Sequence, residues 1–252
     1  MAESNQLIPT EKYLTTGSHI GTTFKTGDMR RYIFKKRKDR LYVLDVENID
    51  KRLRIASQFL AQYPFEKIVV VARRLYSQIP AKKFAELTGC KAITGRFVPG
   101  TFTNPNHKNF IEPKVLIVAD PESDSQAVTE ATKQRIPVVA LASTHNYLKF
   151  IDLAIPINNK GRKSLALVFW VLTREMLKER GDIKKDSEFS TPLEAFEYQI
   201  QEGAREEGEE DPVRQAMKES QKLRYKGRKG TGNRSKPGGQ RRGKPGTTPR
   251  KR

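Results

Sequence analysis

Short apolar runs rich in valine, isoleucine and leucine recur along this chain and alternate with segments of helical periodicity. Within residues 51–63, Leu53, Ala56 and Leu60 recur at the spacing of one helix face, and residues 164–180 show the same period. Strands that alternate with helices form βαβ units, and uninterrupted apolar runs are typical of strands covered on both faces. The runs are 41–46, 67–72, 92–94, 115–119, 136–143 and 153–157. The sequence therefore predicts an α/β domain with a mostly parallel sheet covered on both faces.

A long irregular segment, residues 95–109, interrupts this alternation. Pro99 and Pro105 each fix a backbone angle, whereas Gly95 and Gly100 permit turns that other residues resist. The segment contains cations, amides and hydroxyls but no acid, and its phenylalanines give it groups to bury. Loops of this length inside a compact domain usually carry function. We expect an ordered, cation-bearing surface loop that contacts a ligand.

The charge of the chain indicates what kind of partner it has. Its 48 Lys and Arg residues outweigh 29 Asp and Glu residues, which gives a formal net charge of +19 and a pI near 10. A polyanion, most often a nucleic acid, is the expected partner of such a chain, and a membrane surface is the other candidate. The longest apolar run, residues 165–172, is too short to span a bilayer, so no membrane partner is expected.

The composition changes after about residue 183. Residues 186–211 hold ten acids and one cation, Arg205, whereas residues 213–252 hold fifteen cations and one acid, Glu219. A segment of Gly, Lys, Arg, Pro, Ser and Thr buries too little apolar surface to offset its ordering entropy. We therefore predict three parts: an α/β RNA-binding domain over 1–183, an acidic linker over 184–211 and a basic disordered tail over 212–252.

Several short segments combine cations with groups that suit RNA. Residues 29–40 interleave seven cations with Tyr32 and Phe34, as phosphate contacts and base stacking require, although a solvated surface is the alternative. Residues 158–164 place three cations at a helix N-terminus, where backbone N–H groups favour an anion. The full set of predicted nucleic-acid-binding residues is Arg30, Arg31, Lys35, Lys36, Arg37, Arg73, Arg74, Arg96, Thr103, Asn104, Lys108, Lys160, Arg162 and Lys163.

Signs of catalysis are weak. The chain has neither a dinucleotide-binding G-x-G-x-x-G motif nor a Walker-type phosphate loop, so no cofactor is predicted. Asp120, Ser143 and His145 each follow a predicted strand and are the residue types of a catalytic triad, but no nucleophile elbow accompanies them. Two alternatives to a structural RNA-binding protein remain open at this point. One is a nucleotide-binding or small-molecule enzyme that uses Asp120, Ser143 and Lys160, and the other is a free RNA-binding regulator that binds particular transcripts.

An ordered set of motifs resembles a known family. GSHIGT, MRRYIF, LYVLDV, GRFVPGTFTNP, FIEPKVLIVADP, IPVVALAST, DLAIPINNKGRKSLAL and WVLTREML occur in the order found in the universal small-subunit ribosomal protein two family, the S-two proteins, in its archaeal form. The resemblance covers about residues 7–180, and the ordered set is far more specific than any single motif. No bacterial coiled-coil insertion separates Tyr63 from Lys67.

The resemblance implies a flavodoxin-like three-layer α/β/α fold and no enzymatic activity. It also implies a cytoplasmic, ribosomal location, with small-subunit rRNA and neighbouring ribosomal proteins as partners, near the head–body junction on the solvent side. The chain departs from the family in the loop that reads ASTHN, where Ser143 and His145 stand in place of the usual acidic residue. The acidic and basic parts after residue 183 match no family motif, so their roles depend on charge alone.

Overall fold

Five parallel strands form the central sheet of the protein, whose computed structural model describes residues 6–184 and 188–199. The strands lie in the order β4-β3-β5-β6-β7, which is the 2-1-3-4-5 order of flavodoxin-like sheets. A separate antiparallel hairpin, β1 and β2, precedes the sheet. The bounds are Ile33–Lys36 (β1), Tyr42–Leu44 (β2), Ile68–Ala72 (β3), Lys91–Thr94 (β4), Val115–Val118 (β5), Val138–Ala142 (β6) and Leu153–Pro156 (β7).

Helices cover both faces of the sheet, and every residue of strands β3, β5 and β6 is therefore buried. The helices are α1 (Thr10–Thr15), α2 (Val46–Ala61), α3 (Leu75–Thr88), α4 (Ser125–Lys133) and α5 (Arg162–Arg180). On one face, Val70 belongs to the apolar cluster formed by α2, α3 and α5. On the other face, Val69 and Val71 pack with Val128 of α4. This three-layer arrangement confirms the predicted fold class.

The 95–109 loop completes the second face of the sheet, where α4 is the helix that packs on the strands. Phe97 and Phe102 are buried in the same cluster as Val69 and Val71, with their ring centroids 5.0 Å apart. Gly95 and Gly100 both have positive φ, which explains the need for glycine there. The loop is therefore part of the core on one side and a surface on the other.

Residues 188–199 pack against the α2, α3 and α5 face. Phe196 is fully buried in that cluster, and Trp170 of α5 donates from Nε1 to the carbonyl of Thr191 at 2.9 Å. Part of the predicted 184–211 linker therefore contacts the folded body. Residues 200–211 of that linker and the predicted basic tail lie outside the described residues.

Three local expectations differ from the structure. Residues 41–46, predicted as a buried strand, contribute only β2 of the hairpin, because β1 pairs with it and the segment turns into α2 at Val46. Helix α3 begins at Leu75, whereas the sequence predicts a helix over only about 81–87, which Gly89 ends. Tyr32, expected to stack on bases, is buried in the apolar cluster on the α2, α3 and α5 face, whereas Phe34 is exposed. No helix in the described part of the chain has the length and apolar character to cross a membrane.

Candidate nucleic-acid interface

Four cations line an open cleft of about 860 Å³ between the segment 27–32, helix α2 and the β6–β7 connection. They are Arg30, Arg31, Arg52 and Lys149. The guanidinium groups of Arg31 and Arg52 lie 4.8 and 5.5 Å from the ring centroid of Tyr32, so one buried ring orients both. None of the four forms an ion pair with a carboxylate in the described part of the chain. We call this site the arginine cleft.

The two acids of the arginine cleft have structural roles. Asp28 accepts a hydrogen bond from the backbone N–H of Leu148 at 3.0 Å, and Asp152 accepts one from Val138 at 2.8 Å. These bonds fix the β6–β7 connection against the cleft wall and the start of β6. The cleft therefore keeps an excess of positive charge that no described acid neutralises by an ion pair. The two aspartates instead hold the backbone around the cleft in place.

The hairpin presents a second group of cations. Lys35, Lys36 and Arg37 are exposed, as predicted, and so are Lys38 and Arg40. Two backbone hydrogen bonds close the hairpin tip: the N–H of Arg37 donates to the Leu41 carbonyl at 2.8 Å, and the Arg37 carbonyl accepts from the N–H of Arg40 at 3.1 Å. Arg40 adopts a left-handed φ of 66°, which makes the turn tight. Arg37 also pairs with Asp39 at 3.2 Å, but both side chains are about half exposed, so this ion pair is weak. The hairpin is a stiff, solvated cationic projection.

A third group lies at the carboxyl edge of the parallel sheet, where ligands of this fold class bind. Arg73 and Arg74 follow β3, Arg96 follows β4 and Lys160 follows β7, so the topology of the parallel sheet brings all four to this edge. Arg73, Arg96 and Lys160 are exposed. Arg74 is different, because its Nε contacts both Asp120 and the hydroxyl of Ser123. The edge therefore combines exposed cations, of which Arg73 also donates to the Ser123 carbonyl at 3.4 Å, with one structural arginine.

Asp120 is the centre of a buried polar network at this edge. Its Oδ1 accepts from the side-chain amides of Asn146 at 3.0 Å and Asn159 at 3.2 Å, and its Oδ2 accepts from Ser123 at 2.7 Å. These bonds join the ends of β5, β6 and β7. Nothing in the sequence motifs distinguished Asn146 and Asn159, although each follows a strand, which was the available signal.

The residues of the candidate triad take other partners. Ser143 is buried, and its backbone N–H donates to Asn146. Nε2 of His145 lies 3.3 Å from Oε2 of Glu122, and no hydrogen bond in the described residues joins His145 to Ser143 or Asp120. Burial lowers the pKa of His145, and the Lys160 charge acts in the same direction. Ser143, His145 and Asp120 therefore do not form the hydrogen-bonded chain of a catalytic triad in the described residues, and their contacts hold the polar edge of the sheet in place.

The loop that departs from the family pattern, 143–146, makes internal contacts. The Thr144 hydroxyl accepts from the backbone N–H of Thr22 at 2.9 Å, and the Thr144 carbonyl accepts from Thr26. A Cβ on Gly21 would lie 2.4 Å from the Thr144 side chain, which explains the second glycine of the GSHIGT motif. The main contacts of this loop therefore clamp the N-terminal segment to the sheet edge.

At the start of α5, some of the groups that could bind an anion already have partners within the protein. Asn158 Oδ1 accepts from the backbone N–H groups of Lys160 at 3.1 Å and Gly161 at 3.2 Å. Arg162 pairs with Glu197 of the C-terminal segment at 2.8 Å, while Lys160 and Lys163 remain exposed. The predicted anion site therefore retains two solvent-facing lysines, but two of its N–H groups and its arginine already have partners.

The loop cations rest on an anchor that sequence analysis missed. Buried Glu130 of α4 accepts from the backbone N–H groups of Gly100 at 2.8 Å and Phe102 at 3.1 Å. Burial by itself raises the pKa of Glu130, but these hydrogen bonds and one from Gln126 bring the pKa below its usual value. Arg96, Asn104 and Lys108 are exposed on the outer side of the loop, and Thr103 is half-buried near Glu130.

Comparisons with known proteins agree with this geometry. The family model described as Ribosomal protein S2 matches residues 13–109 and 106–179. A protein of Staphylothermus marinus is 50% identical over 194 residues, which is 77% of this chain and 88% of the relative. Proteins of Picrophilus torridus and Thermoplasma acidophilum are 49% and 50% identical over 79% of this chain and 100% of their own lengths. All three relatives carry the name small ribosomal subunit protein uS2.

Proposed function

Because this chain belongs to the ribosomal protein S2 family, in its archaeal form, we propose that it binds small-subunit rRNA through its basic surfaces and holds that RNA in the assembled subunit. Membership of the family makes the chain a structural component of the small ribosomal subunit in the cytoplasm, and not an enzyme. The contacts with rRNA and with neighbouring ribosomal proteins are our proposal.

The observation that carries the proposal is the stiffness of the elements that hold exposed, mostly unpaired cations. The arginine cleft is fixed by Tyr32, Asp28 and Asp152, and the 95–109 loop is fixed by Glu130. Cations on rigid elements meet phosphates without losing much conformational freedom, and phosphate contacts set position without reading sequence. A structural role in an RNA-rich particle requires such contacts.

The predicted site residues fall into two sets under this proposal. Arg30, Arg31, Lys35, Lys36, Arg37, Arg73, Arg96, Lys108, Lys160 and Lys163 are exposed and take phosphates, while Thr103 and Asn104 donate to sugar or phosphate oxygens. Arg74 and Arg162 already have carboxylate partners, so they support the site and contribute less to binding. The basic tail, residues 212–252, adds affinity by counterion release.

A gradient experiment tests the ribosomal part of the proposal. In a sucrose gradient of native lysate at moderate salt, we expect the protein to migrate with small subunits and to leave them in a high-salt wash. A peak only at the top of the gradient would overturn the proposal. Association with particular transcripts outside the ribosome would instead favour a regulatory protein.

A charge-reversal variant tests the proposed surface. Replacing Arg30, Arg31 and Lys36 with glutamate removes three phosphate contacts, so affinity for small-subunit rRNA should fall by at least about tenfold, and the salt slope should flatten by about two. The matched control reverses Lys82, Lys91 and Lys133, which are exposed but outside the predicted surfaces. Equal losses in both variants would show that net charge alone governs binding.

A further inference from the structure

Two aromatic side chains in the β6–β7 connection are unusually exposed. Tyr147 and Phe150 expose 74% and 53% of their surface. Phe150 also has φ 64°, a left-handed conformation that bulky residues rarely adopt. Exposed rings and an unfavourable backbone angle cost stability, so their presence together calls for a function.

The connection that carries these rings is held firmly. The Thr26 hydroxyl donates to the carbonyl of Asn146 at 2.7 Å, and Asp28 accepts from the N–H of Leu148 at 3.0 Å. Ile151 closes the turn by donating to the Leu148 carbonyl. Bonds on both sides of Tyr147 therefore present the aromatic pair as a fixed surface.

A second cleft, of about 290 Å³, lies beside the aromatic pair. Its lining includes Tyr147, Phe150, Pro121, Val128 and Lys149. Lys149 also lines the arginine cleft, and its Nζ lies 4.9 Å from the Phe150 ring centroid. The two clefts therefore meet at Lys149, with a cationic part on one side and an aromatic part on the other.

We propose that the two clefts together form a track for a single-stranded RNA segment. Phosphates lie in the arginine cleft against Arg30, Arg31 and Arg52, Lys149 bridges the clefts, and unpaired bases stack on Tyr147 and Phe150. This inference rests on the proposed function, because it assigns the form of RNA that this surface takes. It adds Arg52, Lys149, Tyr147 and Phe150 to the binding residues.

Charge and shape favour this occupant. A positively charged groove next to exposed aromatic rings is the arrangement by which proteins bind single-stranded nucleic acid, since every base has a face that stacks. Unpaired guanidinium groups suit phosphate, which they bind with two hydrogen bonds. An apolar protein partner would leave Arg30, Arg52 and Lys149 desolvated without a counter-charge. A single RNA strand satisfies both clefts.

The test uses the full chain and a uridine oligomer of about twelve nucleotides with a central 2-aminopurine. Binding should quench the 2-aminopurine fluorescence through stacking. The double variant Tyr147→Ala, Phe150→Ala should lose this quench and bind about five- to a hundredfold more weakly, with an unchanged salt slope. The variant Arg52→Gln, Lys149→Gln should flatten the salt slope by about one to one and a half.

Two controls separate stacking from general damage. Tyr147→Phe keeps the ring and should bind as the parent protein does. Phe24→Ala removes a ring that is 75% exposed but lies in neither cleft, and it should also have no effect. If the double alanine variant retains quench and affinity, the track does not exist.

The outcomes also distinguish this inference from the proposed function. Co-migration of the parent protein with small subunits, combined with unaltered oligomer binding by the double variant, would overturn the track and leave the ribosomal role intact. Loss of a neighbouring ribosomal protein, with RNA binding unchanged, would show that the rings contact protein and would also overturn the track. Failure of the parent protein to join small subunits would defeat the proposed function itself.

Discussion

Two aspartates near the carboxyl edge of the sheet show how position decides the role of one residue type. Asp120 is buried but receives hydrogen bonds from two asparagines and a serine, together with the charge of Arg74. Asp124 is equally buried, yet neither of its carboxylate oxygens has a well-aligned hydrogen-bond donor in the described residues, and only the nearby backbone N–H groups of Arg73 and Asp120 and the Arg73 charge favour its ionised form. Burial, together with the nearby charge of Asp120, raises the pKa of Asp124 to about 6. The first carboxylate joins strand ends, whereas the second costs stability when it ionises.

Asp124→Asn should therefore stabilise the protein at neutral pH. The folded pKa of about 6 lies above the ordinary value of 3.8, so the wild-type protein loses stability as pH rises through this window. The amide avoids that loss, and the variant should gain up to about 3 kcal/mol in free energy of unfolding at pH 7.5, and almost nothing at pH 4. Asparagine also suits the N-cap position that Asp124 holds.

Urea unfolding at the two pH values measures this difference. Asp39→Asn is the matched control, because Asp39 is exposed at the hairpin tip. A variant that is less stable than the parent at pH 7.5 would mean that the carboxylate has a stabilising partner.

At the scale of elements, the 95–109 loop takes the place that a second helix would occupy beside α4. The sequence indicated an ordered loop through its prolines, glycines and phenylalanines, and the burial of Phe97 and Phe102 confirms that order. It did not indicate the anchor, because Glu130 lies in a different element and helical periodicity marks it only as a polar position. The contact between Glu130 and Gly100 depends on tertiary packing alone.

Glu130→Gln should loosen this loop without unfolding the domain. The amide can accept only at one oxygen and presents its NH₂ group to a backbone donor, so the loss should be about 1–3 kcal/mol. Amide hydrogen exchange should accelerate most at Gly100 and Phe102. Glu86→Gln, on the exposed side of α3, is the control that should leave these amides unchanged.

The same anchor has a defined pH dependence. The folded pKa of Glu130 lies below the ordinary 4.5, so its contribution is present above that value and is lost as pH falls through the folded pKa. The protection factor at Gly100, which corrects for the intrinsic pH dependence of amide exchange, should therefore fall as the parent protein is acidified below 4.5 and through the folded pKa of Glu130. The Glu130→Gln variant should lack this step. A step of equal size in both proteins would assign it to other carboxylates.

At the scale of the whole molecule, the folded body extends beyond the point where the composition changes. The acidic character of residues 188–199 suggested a linker, but Phe189, Leu193 and Phe196 pack on the helical face, and Glu197 pairs with Arg162. A few apolar residues among acids are enough to dock a segment when a complementary face is exposed, and only the folded structure supplies that face.

Two truncations should locate the boundary of the stable unit. Ending the chain after Gln199 should leave the free energy of unfolding within about 0.5 kcal/mol of the full chain. Ending it after Ile183 removes the buried Phe196 and should cost about 3–5 kcal/mol, comparable to Phe196→Ala in the full chain. Thermal or urea unfolding followed by circular dichroism measures both. Equal stability of the two truncations would place the boundary at 183.

The sequence by itself determined the class of the fold, the basic surface and the family. A strand that is apolar on both faces must be covered on both, and a parallel sheet between two layers of helices is the common way to achieve this. Clustered cations stay positively charged wherever the fold places them, so the basic surface also follows from the sequence. Tertiary structure alone decided which cations are available, because Asp120 and Glu197 reach Arg74 and Arg162 only after the strands and helices have packed. It also joined Arg52 to Lys149 in one cleft, since long-range proximity leaves no local pattern in a single sequence.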